Sequence, residues 1–178
     1  MKRFPILNAG PYGTMTDQAI IQEKLVHLKT LAPKGYALAL HVKFTAPTFL
    51  LQTYDRKWLD YYSQNSFVIS DPIVRWGFEN RGALLWADLV DEDDAGVIQA
   101  ASDHGLKHGV VAAVENENGF SIGGFARDDR PYTAEEAEAL RAFLDEIHNL
   151  TDQMKELSPE TAEQLRELSI HYTHPSHS

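Results

Sequence analysis

The sequence predicts an α+β domain, an antiparallel sheet of about five strands sandwiched between helices in an α-β-α arrangement. Three observations carry this. Apolar residues recur with a helical period before Pro33 and with a period of two after it. Two alternating runs, 110–115 and 120–126, flank the turn Asn116-Glu117-Asn118-Gly119. A capping box, Thr133-Ala134-Glu135-Glu136, then opens a long amphipathic helix. Adjacent strands, helical insertions, a hairpin and a final helix suit an antiparallel sheet rather than a doubly wound parallel one.

Each element has its own reason. Residues 1–14, with Pro5, Gly10, Pro11 and Gly13, read as an irregular lead-in. Thr16 or Asp17 caps a helix whose stripe is Ile21, Leu25, Leu28 and Ala32, ending before Pro33. From Tyr36 the alternation places Tyr36, Leu38, Leu40, Val42 and Phe44 on one face of a strand, with Ala37, Ala39, His41 and Lys43 on the other. Pro47 breaks it, and 49–54 form the next strand. Asp55 caps a short helix to about Gln64 that carries Trp58 and Tyr62 on one face. Asp71-Pro72 opens another, since Asp suits the cap and Pro the first helical position. Ala83 to Trp86 is extended, and a helix covers about Asp93 to His104 behind the acidic run Asp91–Asp94, read as a solvated helix start. Ala137, Leu140, Leu144, Ile147 and Leu150 or Thr151 face inward on the last helix.

The chain has 178 residues, 43% hydrophobic and 24% charged, which suits one globular domain. A chain of this length buries roughly 70% of its unfolded surface, enough to enclose a ligand cavity. Its net charge of −10 argues against gripping a phosphate backbone, an affinity that comes from Lys and Arg displacing counterions. With no cysteine there is no disulfide framework, thiolate metal site or thiol nucleophile. The start lacks the apolar stretch of a signal peptide, and nowhere do about 18 apolar residues run together, so a cytoplasmic protein without membrane contact is expected. No nucleophile elbow, phosphate loop or dinucleotide fingerprint is present, so no enzyme activity and no cofactor are expected. His104 and His108 are four apart, but Gly105 and Gly109 interleave them and no zinc-binding pattern accompanies them.

The most informative constellation is aromatic: Tyr54, Trp58 and Tyr62 four apart, then Asp71-Pro72, then Gly82-Ala83-Leu84-Leu85-Trp86, and later Gly105-Leu106-x-x-Gly109 with Val110-Val111. Buried together, so many polar-tipped rings need partners for their tips. At these intervals the chain resembles the autoinducer-binding domain of quorum-sensing transcription factors of the LuxR type, over roughly residues 15 to 155. The resemblance implies an α-β-α, PAS/GAF-like fold and an N-acyl-homoserine lactone as ligand. It implies that Trp58 Nε1–H serves the lactone carbonyl, Asp71 the amide N–H, and the Tyr54 and Tyr62 hydroxyls the amide carbonyl. Trp86 becomes a flat wall against the ring, and Ile73 an apolar one. One departure stands out: Gly123-Gly124 occupies the place where much of the family has a Ser or Thr facing the amide region.

Plainer readings exist for each residue. Asp71 before Pro72 is accounted for by a helix cap, the three rings by an ordinary apolar helix face, and Trp86 by core packing. The resemblance divides the chain into a binding domain, 1–156, and a remnant of the start of a helix-turn-helix domain with a polar tail, 157–178. Leu157-Ser158-Pro159-Glu160 with Leu165 and Leu168 looks like the first helix of that domain, and His171 to Ser178 stands where the recognition helix is expected. Partners implied are a small-molecule signal and a second LuxR-type chain, in a homodimer or an inhibitory heterodimer, with no direct nucleic-acid binding. The alternative is a ligand-free interaction module whose core is filled by its own side chains.

Overall fold

The structure, a computed structural model, describes residues 11–157, with side chains from 19 to 152. The expected helix-turn-helix remnant at 157–178 therefore lies outside the described residues apart from Leu157. Five helices, α1 Pro11–Leu31, α2 Arg56–Gln64, α3 Pro72–Glu79, α4 Val97–Asp103 and α5 Ala134–Leu157, enclose five strands. The strands are β1 Gly35–Lys43, β2 Ala46–Gln52, β3 Gly82–Leu85, β4 His108–Asn116 and β5 Gly119–Arg127. They form one antiparallel sheet in the order β2-β1-β5-β4-β3.

One face of the sheet carries α1 and α5. Ile21, Leu25, Leu28 and Ala32 of α1 meet Tyr36, Leu38 and Leu40 of β1 and Leu140, Leu144 and Ile147 of α5 in a single buried cluster. The stripes expected on both helices are the ones buried. The other face carries α2, α3, α4 and two 3₁₀ segments, Phe67–Ile69 and Trp86–Glu92, in a second cluster that includes Trp58 and Trp86. Among the described residues no helix is long and apolar enough to cross a membrane.

Several local expectations are corrected. α1 begins at Pro11, so Thr16 and Asp17 lie inside it rather than capping it; Pro suits a first turn because that turn has no use for its missing N–H. β2 begins at Ala46 and contains Pro47, which is tolerated because β2 is an edge strand. Trp86 opens a 3₁₀ segment rather than ending a strand. The expected helix over 93–104 is shorter, and Asp93 lies ahead of it with its two carboxylate oxygens accepting from Val97 N and Ile98 N, both at 2.8 Å.

The largest correction concerns β1. Between Ala39 and Val42 its pairing with β5 slips by one residue, and His41 takes a φ of +54°. Such a bulge inverts the alternation beyond it. His41 therefore turns toward α5, stacking on His148 at 4.4 Å with Nε2 2.7 Å from Thr151 Oγ1, while Val42 joins Ala37 and Ala39 on the opposite face. Phe44, expected to pack with Leu40, is 98% exposed in the turn that follows.

Candidate functional site

Ala37 and Ala39 of β1 lie opposite Gly124 and Ile122 of β5, so the middle of the sheet presents little bulk to α2 and α3. A cavity of about 270 Å³ results there. Tyr54, Trp58, Tyr62, Asp71, Ile73 and Trp86 all line it, so the structure brings the six residues singled out in the sequence to one space. Trp58 and Asp71 are 5% and 6% exposed. Most of the remaining wall is aliphatic, including Val42, Leu50, Val68, Val74 and Ile122, with Phe78 beside them.

The polar groups converge from different elements. Asp55 caps α2 by accepting from Lys57 N at 3.1 Å, which sets the helix so that Trp58 and Tyr62 share its inward face. Asp71 does two things at once. Its Oδ1 accepts from Ile73 N at 2.8 Å as the cap of α3, and its Oδ2 accepts from the Tyr62 hydroxyl at 2.7 Å. The cap and the cavity reading of Asp71 are thus compatible. Burial pushes its carboxyl above the usual carboxylate range, opposed by the hydrogen bonds from Tyr62 and Ile73. Burial, and then the Asp71 charge, also push the Tyr54 and Tyr62 hydroxyls upward, so both remain protonated donors. The Tyr62 proton is committed to Asp71, which leaves that hydroxyl's lone pairs, rather than its proton, for anything else in the cavity. Neither the Tyr54 hydroxyl nor Trp58 Nε1–H has a hydrogen-bond partner among the described residues.

Glycines shape the walls. A Cβ on Gly109 would fall 2.0 Å from Trp86 Cδ2, so the indole lies directly on the β4 backbone. Trp86 is 5% exposed, and its buried Nε1 has no hydrogen-bond partner among the described residues. A Cβ on Gly124 would lie 3.1 Å from the Tyr54 hydroxyl, so at the place of the missing Ser or Thr this chain brings a tyrosine oxygen close to β5. His104 Nδ1 lies 2.8 Å from Ala100 O, and the ring packs at 5.2 Å from Trp58. Sequence reasoning missed Ala37, Ala39, Val68 and Phe78 as lining. The signal available was the run of small residues on one face of β1 and β5, which hollows a sheet.

An aromatic-walled cavity between an antiparallel sheet and short helices, with a buried helix-capping Asp, is the architecture of a small-molecule sensor. The profile of the family described as autoinducer binding domain matches residues 34–150, more than half of the chain, and the protein belongs to this family of LuxR-type regulators. Transcriptional activator protein SolR of Ralstonia nicotianae is 30% identical over 102 residues, covering 57% of this chain and 43% of SolR. The matched part thus spans less than half the length of that relative. Among solved structures, Escherichia coli SdiA in complex with octanoyl-rac-glycerol superposes with a TM-score of 0.55 at 20% identity, covering 78% of this chain and 64% of that one. The N-acylhomoserine lactone dependent LuxR family factor CepR2 of Burkholderia cenocepacia gives 0.51 at 18% identity, covering 76% and 93%. At these identities the likeness is one of fold. The relatives are transcriptional regulators rather than enzymes.

Proposed function

We propose that the cavity is a signal site for an N-acyl-homoserine lactone or a related single-chain amphiphile, and that the protein senses by folding around it. The observation that carries this is the meeting of unspent polar groups with apolar volume. Among the described residues Trp58 Nε1–H and the Tyr54 hydroxyl are donors without partners, Asp71 Oδ2 accepts one of the two hydrogen bonds its lone pairs allow, and most of the remaining wall is apolar, Thr45 and Gln52 excepted. A lactone carbonyl, an amide carbonyl and an amide N–H supply the complementary set. Trp58 serves the lactone carbonyl, Asp71 the amide N–H and Tyr54 the amide carbonyl, while Tyr62 holds Asp71 in place. Trp86 and Ile73 form flat and apolar walls. The complex of SdiA with octanoyl-rac-glycerol supports an amphiphile of this general kind, and the lactone dependence of CepR2 supports the lactone head.

Such a ligand completes the core, so it stabilises the folded state by mass action, by about 2.7 kcal/mol at a hundred times its Kd. The output is transcriptional, through pairing with a second LuxR-type chain in the cytoplasm. The rival reading, an interaction module with a self-filled core, sits poorly with about 270 Å³ of lined space.

Mass spectrometry of organic extracts from purified protein, with thermal unfolding in the presence of acyl lactones and their ring-opened acids, tests the reading. A stoichiometric amide, or a rise in Tm with the lactone and not the acid, is the expected result. Protein that is stable, yields no extractable molecule and is indifferent to every lactone overturns it.

A further inference from the structure

The cavity is closed at its polar end, where Trp58, Asp71 and Trp86 are each at most 6% exposed. Elsewhere the lining differs. Of all the lining residues only Thr45, in the β1–β2 turn, and Val68, in the 3₁₀ turn after α2, are exposed, Val68 at 57%. Their chain neighbours Phe44 and Ile69 are 98% and 85% exposed. Phe44 adopts a φ of +58° as the first residue of the two-residue β1–β2 turn, which holds its side chain out from the sheet. Large apolar side chains thus lie outside the cavity beside its two exposed lining residues.

We propose that the cavity opens between Thr45 and Val68, and that the site takes single-chain amphiphiles whose tails outrun the enclosed volume and leave along Phe44, Val68 and Ile69. This rests on the reading of the cavity as a signal site and deepens it by naming long-chain ligands. Volume supports it. At the packing of benzene in a cavity of about 150 Å³, about 270 Å³ holds roughly eleven non-hydrogen atoms, of which a lactone ring and its amide use about nine. Little of the tail fits behind the mouth. In a closed cavity each further methylene is a clash; at an open one it meets an apolar rim.

The test is a titration of the full chain with N-acyl-homoserine lactones of graded length, from about four to about fourteen carbons, with monoacylglycerols of the same lengths in parallel. Each methylene that leaves water completely contributes about fourfold in affinity, and partial burial on the rim contributes less. Affinity is expected to rise with length and then to level, without falling for the longest chains. Ile69→Asn, at a position 85% exposed and outside the cavity lining, is expected to weaken the longest ligands at least fivefold and to change the shortest less than twofold. Loss of binding beyond the middle lengths overturns the open mouth, as does a variant that weakens all lengths alike or none. If short lactones bind and long ones do not, only this inference fails. If no lactone of any length binds, the lactone reading fails, and the monoacylglycerol series still decides whether long tails are accepted.

Discussion

Asp71 shows how one carboxylate can serve fold and site together, and how the two roles come apart by mutation. Asn at this position keeps an oxygen to accept from Ile73 N but carries no charge, and so escapes the desolvation that raises the aspartate. Because the folded-state pKa lies above the unfolded value near 3.8, the native state binds more protons than the unfolded chain between the two values. Stability therefore falls as pH rises from 3.8 through the raised pKa. Urea unfolding of ligand-free Asp71→Asn is expected to lose that decline and to match or exceed the parent at neutral pH. Its response to an acyl lactone is expected to drop at least tenfold. A variant that binds like the parent refutes the amide assignment. Trp58→Phe removes the N–H donor and shrinks a buried ring, so it is expected to cost the ligand-free protein about 1 kcal/mol and to weaken ligand binding further, by about 1 to 2 kcal/mol. Gly109→Ala acts on packing instead. Its methyl would overlap the Trp86 indole, and displacing that ring is expected to cost about 1 to 3 kcal/mol in chemical denaturation.

Elements set by local chemistry were legible in the sequence, and those set by long-range pairing were less so. The capping box on α5 is present as read: Glu136 N donates to Thr133 Oγ1 at 3.1 Å, and Thr133 N donates to Glu136 Oε1 at 2.9 Å. Arg130 adds a two-pronged bond to the same Glu136 carboxylate, which holds it down to about 2. A depressed carboxylate contributes stability above its unfolded value of 4.5, and that contribution is lost as pH falls toward 2. Thr133→Ala is expected to destabilise the domain by about 1 kcal/mol, read by urea unfolding at neutral pH, where the carboxylate is ionised. The bulge at His41 was not legible, because nothing in the run Leu40-His41-Val42 departs from alternation. What places His41 is its partners, Thr151 and the stacked His148, more than a hundred residues later in the chain. Pro47 misled for a related reason: whether a strand tolerates proline depends on its being at the sheet edge, a property of the assembled order. The meeting of the candidate site residues at one cavity was legible because Asp55, Asp71-Pro72 and the four-residue ring spacing are local signals. Its hollow was not, since a cavity depends on what several elements leave unfilled.

At the scale of the molecule, the cavity sets folding against sensing. Unfilled apolar volume costs on the order of 24 cal/mol per Å³, so a space of about 270 Å³ weakens the core by about 6 kcal/mol. That is comparable with the whole net stability of a typical domain, about 5 to 15 kcal/mol. On the proposed reading, such a protein gains much of its stability from the guest, and its abundance reports the guest. Enlarging a residue on the cavity face should therefore act with a sign opposite to ordinary core mutations. Ala39 lies at the centre of β1 on the cavity face, paired with Leu50 on one side and Ile122 on the other. Ala39→Leu places three further carbons in that space and leaves the side chains of Trp58, Asp71 and Tyr54 unaltered. Ligand-free protein carrying it is expected to unfold at a higher temperature than the parent, by burying about 2 kcal/mol of apolar surface in existing volume. The same variant is expected to lose most of its stabilisation by acyl lactones, because side chain and ligand compete for one place. If the enlarged residue destabilises the ligand-free domain, the middle of the fold is already filled in solution, and coupling of folding to signal through this cavity is ruled out.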